Sequence, residues 1–185
     1  MRLSLPVPRV PLVPDPLRRA PVPRSLEAVT TVAAEADPRD GGMTPRAIES
    51  VWEAVERFYR SGAHPAIQIC LRREGEVVLD RAIGYARGNG PDDAGREPKR
   101  RATPETPFLI FSASKAMTAM VAHQGFGHLG FTNILGWAHP ERSLSGALIT
   151  SGKPVLYPEI GEFWNTMRVI AAETPKTAAS TLALP

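Results

Sequence analysis

Cysteine is almost absent: Cys70 stands alone among 185 residues, so no disulfide can form within the chain and the redox compartment stays open. It lies in the apolar run Ala66-Ile67-Gln68-Ile69-Cys70-Leu71 and is expected to be a buried structural thiol, not a nucleophile. Aromatic residues make up only 6% of the chain, and no Lys/Arg run is interleaved with them, which argues against nucleic-acid binding. No stretch reaches the ~18 apolar residues of a membrane span, so no transmembrane segment is expected. His, Cys and Asp nowhere fall at ligand spacing, so neither a metal nor an organic cofactor is implied. Prolines at 6, 8 and 11 interrupt any secretory h-region, and a cytoplasmic protein is the expectation. There is no internal repeat.

What is present fits one globular domain. The hydrophobic share of 43% and charged share of 22% are ordinary, and the net charge of +3 is small. Proline is abundant and uneven, with eight of the 19 in residues 1–43, a region without aromatic residues. Such a segment buries too little apolar surface to offset its ordering entropy, so residues 1–43 are expected to form a disordered leader. The domain is then expected over 44–175, with a flexible tail at 176–185.

Within the domain, Thr44-Pro45 is an N-cap followed by proline at the first helical position. Ile48, Val51, Trp52, Val55, Phe58 and Tyr59 follow on one helical face, and Gly62 is the stop. Ala66–Arg72 and Glu76–Ile83, separated by Arg73-Glu74-Gly75, predict a hairpin. Residues 85–106 are polar and glycine- and proline-bearing, and predict a long surface loop. A short strand at Pro107–Phe111 leads into a helix from Ser112 to His123. Phe131–Ala138 and Leu144–Thr150 predict a second hairpin. A last helix is expected over Glu159–Ala172, burying Ile160, Phe163, Trp164, Met167, Ile170 and Ala171. Helix, hairpin, strand, helix, hairpin, helix is an α+β pattern: an antiparallel sheet flanked by helices.

The sharpest motif is Ser112-Ala113-Ser114-Lys115 at a strand-to-helix junction. Ser112 and Lys115, at i and i+3, share a helical face with Cβ atoms about 5–6 Å apart. A serine hydroxyl needs a neighbour to take its proton, and a lysine can do so where burial and nearby positive charge keep it neutral. The helix N-terminus supplies free N–H groups where an oxyanion would form. Ser114 has no lysine at the same spacing.

Thr106-Pro107-Phe108-Leu109-Ile110-Phe111-Ser112-Ala113-Ser114-Lys115-Ala116-Met117-Thr118-Ala119 resembles the nucleophile segment of class C β-lactamase-like esterases and penicillin-binding proteins. The upstream helix and hairpin, ending Asp80-Arg81-Ala82-Ile83-Gly84, are similar to that family's N-terminal elements. Gly127-His128-Leu129-Gly130 resembles its third motif, which lines the site on an edge strand. Gly136-Trp137-Ala138-His139-Pro140-Glu141-Arg142 resembles the following strand and turn. Over residues 44–175 the resemblance implies a serine hydrolase that acts on a small ester or amide substrate through an acyl-enzyme. Ser112 would attack, Lys115 would share in proton transfer, and the backbone N–H groups of Ser112 and Phe131 would hold the oxyanion. Gly127, His128 and Gly130 would face the substrate.

The sequence departs from the family in its middle. A Tyr-x-Asn-type motif normally lies between the nucleophile helix and the third motif. Here only fifteen residues separate Ser112 from His128, and none is a tyrosine. This is the pattern an internal deletion leaves, so carboxylic-ester hydrolysis is expected to be weak or lost. A helix from Ser112 to His123 would be about 18 Å long. Residues 124–130 span at most roughly 25 Å extended, enough for a taut return. Without the missing region, Met117, Met120 and Val121 would form a self-association patch. The alternative function is a non-catalytic remnant that binds or self-associates.

Overall fold

The computed structural model describes residues 19–91, 93, 95, 97–108, 128–130, 134–139, 142–151 and 160–174. Helix α1, Pro45–Arg60, starts as its sequence dictates. The Thr44 hydroxyl accepts from the Ala47 N–H at 3.1 Å, and Pro45, which has no N–H to satisfy, opens the first turn. Ile48, Val51, Trp52, Val55, Phe58 and Tyr59 are all buried on one side. Arg57 and Arg60 sit in the last turn, where the helix dipole favours cations, and Gly62 follows with φ +70°.

Strands β2 (Ala66–Arg73) and β3 (Glu76–Arg87) form the first hairpin. Glu74 and Gly75 between them both have positive φ, as a two-residue type I′ turn requires. Strand β3 runs on past Ile83 because Tyr85 and Arg87 pair with β4, Arg100–Arg101. The predicted loop over 85–106 is therefore partly sheet. Strands β5 (His128–Gly130), β6 (Ile134–His139) and β7 (Leu144–Thr150) complete the sheet. With β1, Thr30–Val32, its order is β1-β3-β2-β7-β6-β5, with β4 attached to β3 and every pairing antiparallel. Strand β2 is thus inserted between its hairpin partner and a strand some eighty residues later. The α+β class read from the sequence is the architecture observed.

Period-two alternation along β2 divides the sheet's faces. Ile67, Ile69 and Leu71 point into the main core with Leu79 and Ile83 of β3 and Leu144 and Leu148 of β7. Helix α1 covers this face together with α2, Ile160–Glu173. Burying each Leu or Ile stabilises the fold by about 1.5–3 kcal/mol.

Residues 19–43 correct the expectation of a disordered leader; residues 1–18 of that leader, like the tail at 176–185, lie outside the described residues. Leu26, Val29 and Met43 are buried in the main core, and a short 3-10 turn at Glu27–Val29 leads into β1, Thr30–Val32. Strand β1 pairs with Arg81–Ile83 of β3, so the backbone is satisfied by an edge that composition counting ignores. The Glu35 carboxylate grips Arg81 bidentately at 2.9 and 3.0 Å and also accepts the Asp80 N–H. Arg81 reaches Glu49 of α1 at 3.2 Å and lies 5.5 Å from the Trp52 ring centre. This partly buried cluster ties strap, sheet and helix together.

The buried face of α2 is rotated slightly from the predicted stripe. Phe163 and Ile170 are buried and Met167 partly so, but Trp164 is 53% exposed and Ala171 faces solvent. Thr166 and Thr174 turn inward instead. Each donates its hydroxyl to the carbonyl four residues back, at 2.8 and 2.6 Å, so both buried hydroxyls are satisfied.

Two stability predictions follow from this packing. Gly84 has φ +100°, and a Cβ there would strike the Pro65 carbonyl oxygen and the Tyr59 ring. Gly84→Ala should lower stability by at least about 2 kcal/mol in chemical denaturation, and a change near zero would contradict the tight crossing. His64 is buried edge-on to Phe58 with ring centres 4.8 Å apart, and burial lowers its pKa from 6.5 to about 3. Between those two values the unfolded chain holds a proton that the folded chain lacks. Stability is therefore full above pH 6.5 and declines as pH falls, by about 1.4 kcal/mol per pH unit. In melts from pH 7 to pH 5, His64→Phe should decline less steeply than the wild type; parallel curves would contradict the neutral histidine.

Candidate active site

The face of the sheet away from α1 and α2 is built from the alternate residues. Ala66, Ala82 and Ala102 form a small second cluster there, against which Phe108 packs. Between them lies Gln68, 8% exposed, a polar side chain in an otherwise apolar strand. Its Nε2 donates to three carbonyl oxygens, those of Thr103 at 2.5 Å, Pro104 at 3.2 Å and Thr106 at 2.9 Å.

Those carbonyls belong to a turn that also closes on itself. The Thr103 N–H donates to the Thr106 hydroxyl at 2.8 Å, and the Thr106 N–H returns to the Thr103 carbonyl at 3.0 Å. Proline at 104 pre-sets the turn's φ. Upstream, the Ala102 N–H bonds the Gly84 carbonyl at 3.0 Å and its own carbonyl accepts from the Thr31 hydroxyl at 2.9 Å. Residues 102–108 are thereby fastened to β1, β2 and β3 just before the Ser112 motif.

Strand register places the segment that resembles the third motif. Asp80, Cys70, Ala147, Gly136 and His128 are successive partners across β3, β2, β7, β6 and β5. Strand β5 is the last in the sheet order, the edge position that the resemblance gave to the third motif. His128 and Gly130 are hence placed on β5, opposite Gly136 and Ile134. Three strand spacings, about 14 Å, separate β5 from β2. Ser112, Lys115, Gly127 and Phe131 lie outside the described residues, as do Met117, Met120 and Val121.

Tyr59 is not a stand-in for the absent tyrosine. It is fully buried in the main core, on the helix-covered face, and burial raises its pKa to about 12. Tyr85 lies within β3 beneath the Lys99 ammonium, 5.1 Å from ring centre to nitrogen, and Tyr157 is outside the described residues. Cys70 is half-buried, and its thiol pKa is raised by burial first and then by the Asp80 carboxylate. Among the described residues, no His/Cys/Asp/Glu group could hold a metal ion, and no helix is long and apolar enough to cross a membrane.

The sequence alone does not reveal the link between Gln68 and the Thr103–Thr106 turn. The available signal was a glutamine amid five apolar neighbours, together with the Thr-Pro-x-Thr spacing. Neither names its partner, because the two are some 35 residues apart.

Residues 51–125 match the family model described as Beta-lactamase. The match begins inside α1, takes in the hairpin, the 103–106 turn, Ser112 and Lys115, and stops short of β5. No curated protein and no solved structure matches the chain.

A thiol held in its protonated form alkylates slowly. Iodoacetamide at pH 8 should modify Cys70 several-fold more slowly in the folded chain than in urea. Equal rates would contradict the shielded thiol.

Proposed function

From residues 51–125, whose match supports a serine β-lactamase/penicillin-binding-protein-like family, we propose a serine hydrolase that cleaves small carboxylic esters through an acyl-enzyme on Ser112. The observation that carries this is the family match across the Ser-x-x-Lys motif. The Ser112 hydroxyl oxygen attacks the ester carbonyl while the Lys115 amine accepts its proton. The backbone N–H groups of Ser112 and Phe131 stabilise the oxyanion, the alcohol leaves, and water then releases the acid. Gly127, His128 and Gly130 bound the substrate on the β5 side. The reach of the chain supports the juxtaposition: four residues from Phe108 to Ser112 extend up to about 14 Å, comparable with the β2-to-β5 distance.

Turnover is slow, because no tyrosine stands between Ser112 and His128 to share the general-base role. General acid–base help is worth roughly 10²–10⁴-fold, so its impairment leaves a measurable but poor esterase. The second candidate, a non-catalytic remnant that binds or self-associates, shares the missing tyrosine as its support.

Hydrolysis of p-nitrophenyl acetate should be slow for the wild type and at least about tenfold slower for Ser112→Ala, and an acyl adduct should map to Ser112 by intact and peptide mass. Equal rates in the two proteins would remove the catalytic assignment.

A further inference from the structure

We infer that Gln68 is a positioning residue for acylation at Ser112: its carboxamide fixes the Thr103–Thr106 turn from which the nucleophile's segment departs. This rests on the hydrolase function proposed above and assigns a task to a side chain outside the Ser-x-x-Lys motif.

The chemistry of the site singles out a donor. Gln68 is 8% exposed, and an amide nitrogen is costly to bury unless its hydrogens find acceptors. Here the acceptors are three backbone carbonyls of one turn, converging on a single nitrogen. The neighbours on this face, Ala66, Ala82 and Ala102, are small and apolar, so an aliphatic residue at 68 would pack without any such requirement. The polar side chain therefore serves the turn more than the core.

Geometry gives the turn its leverage. Only Pro107 to Phe111 lie between Thr106 and Ser112, and Phe108 is already held against the second cluster. A departure point displaced by an ångström can carry a nucleophile out of attack geometry, at a loss of up to about 10²-fold in rate.

Three variants test this: Gln68→Leu, Gln68→Glu, and Thr106→Val, which loosens the same turn from its half-buried side without touching the core. The probe is a fluorophosphonate, its adduct on Ser112 followed by intact mass, alongside hydrogen exchange of peptides covering 100–108. Gln68→Leu and Thr106→Val should keep a cooperative melt, label Ser112 at least about tenfold more slowly, and exchange faster over 102–106. A carboxylate at 68 can only repel the three carbonyls, whereas its protonated form donates one hydrogen bond. The rate deficit of Gln68→Glu relative to wild type should therefore shrink between pH 8 and pH 5, a recovery that loss of packing alone would not give. Labelling of Gln68→Leu or of Thr106→Val at the wild-type rate would overturn the inference, as would a Gln68→Glu deficit independent of pH. If the wild type itself takes no label at Ser112, the hydrolase function fails and the positioning role falls with it. The exchange data then still report whether Gln68 holds the turn.

Discussion

Strand β2 presents two chemically opposite faces, and the described structure is organised by that alternation. Ile67, Ile69 and Leu71 bury against α1 and α2 and hold the core, while Gln68 between them looks the other way and holds a loop. A shift of one residue in register would exchange these faces, sending a carboxamide into the apolar core and three aliphatic side chains onto the loop. The two-residue turn at Glu74-Gly75 and the register shift between Leu71 and Arg72 set that register at one end of the strand, and Gly84 beneath Pro65 fixes it at the other.

From this arrangement come both the stability of the core and the anchoring of residues 102–108. The main core also joins distant parts of the chain: α1 packs on α2, about a hundred residues later, and β2 lies against β7 as well as its hairpin partner. The site side depends on long-range hydrogen bonds: Gln68 to 103–106, Thr31 to Ala102, and the pairings that carry β5 to the end of the sheet. The Arg81 cluster joins the two systems, because one guanidinium meets Glu35 of the strap, Glu49 of the helix and the Trp52 ring.

Local patterns are legible in the sequence. The Thr44-Pro45 cap, the apolar stripe of α1, both hairpins and the α+β class follow from spacing and turn residues that act over a few positions. What the sequence hid was non-local. Residues 19–43 are proline-rich, yet Thr30–Val32 pair with the β3 edge and Leu26, Val29 and Met43 are buried. Trp164 was expected inside on hydrophobicity, but Thr166, bonding its own helix, takes the inward place. Gln68 was invisible as a functional residue because its partners are distant in the chain. Of the site residues, His128 and Gly130 are placed on β5, and the register there is set by β6.

The position of β2 has a consequence for how the chain is made. Ile67 pairs with Thr150 and Arg73 with Leu144, so one flank of the central strand stays unpaired until more than seventy further residues have been synthesised. High contact order of this kind slows folding, and during translation the open flank is free to recruit another nascent chain. Expression yield should therefore respond to elongation speed and to chaperones that shield β-edges more than to changes in the helices.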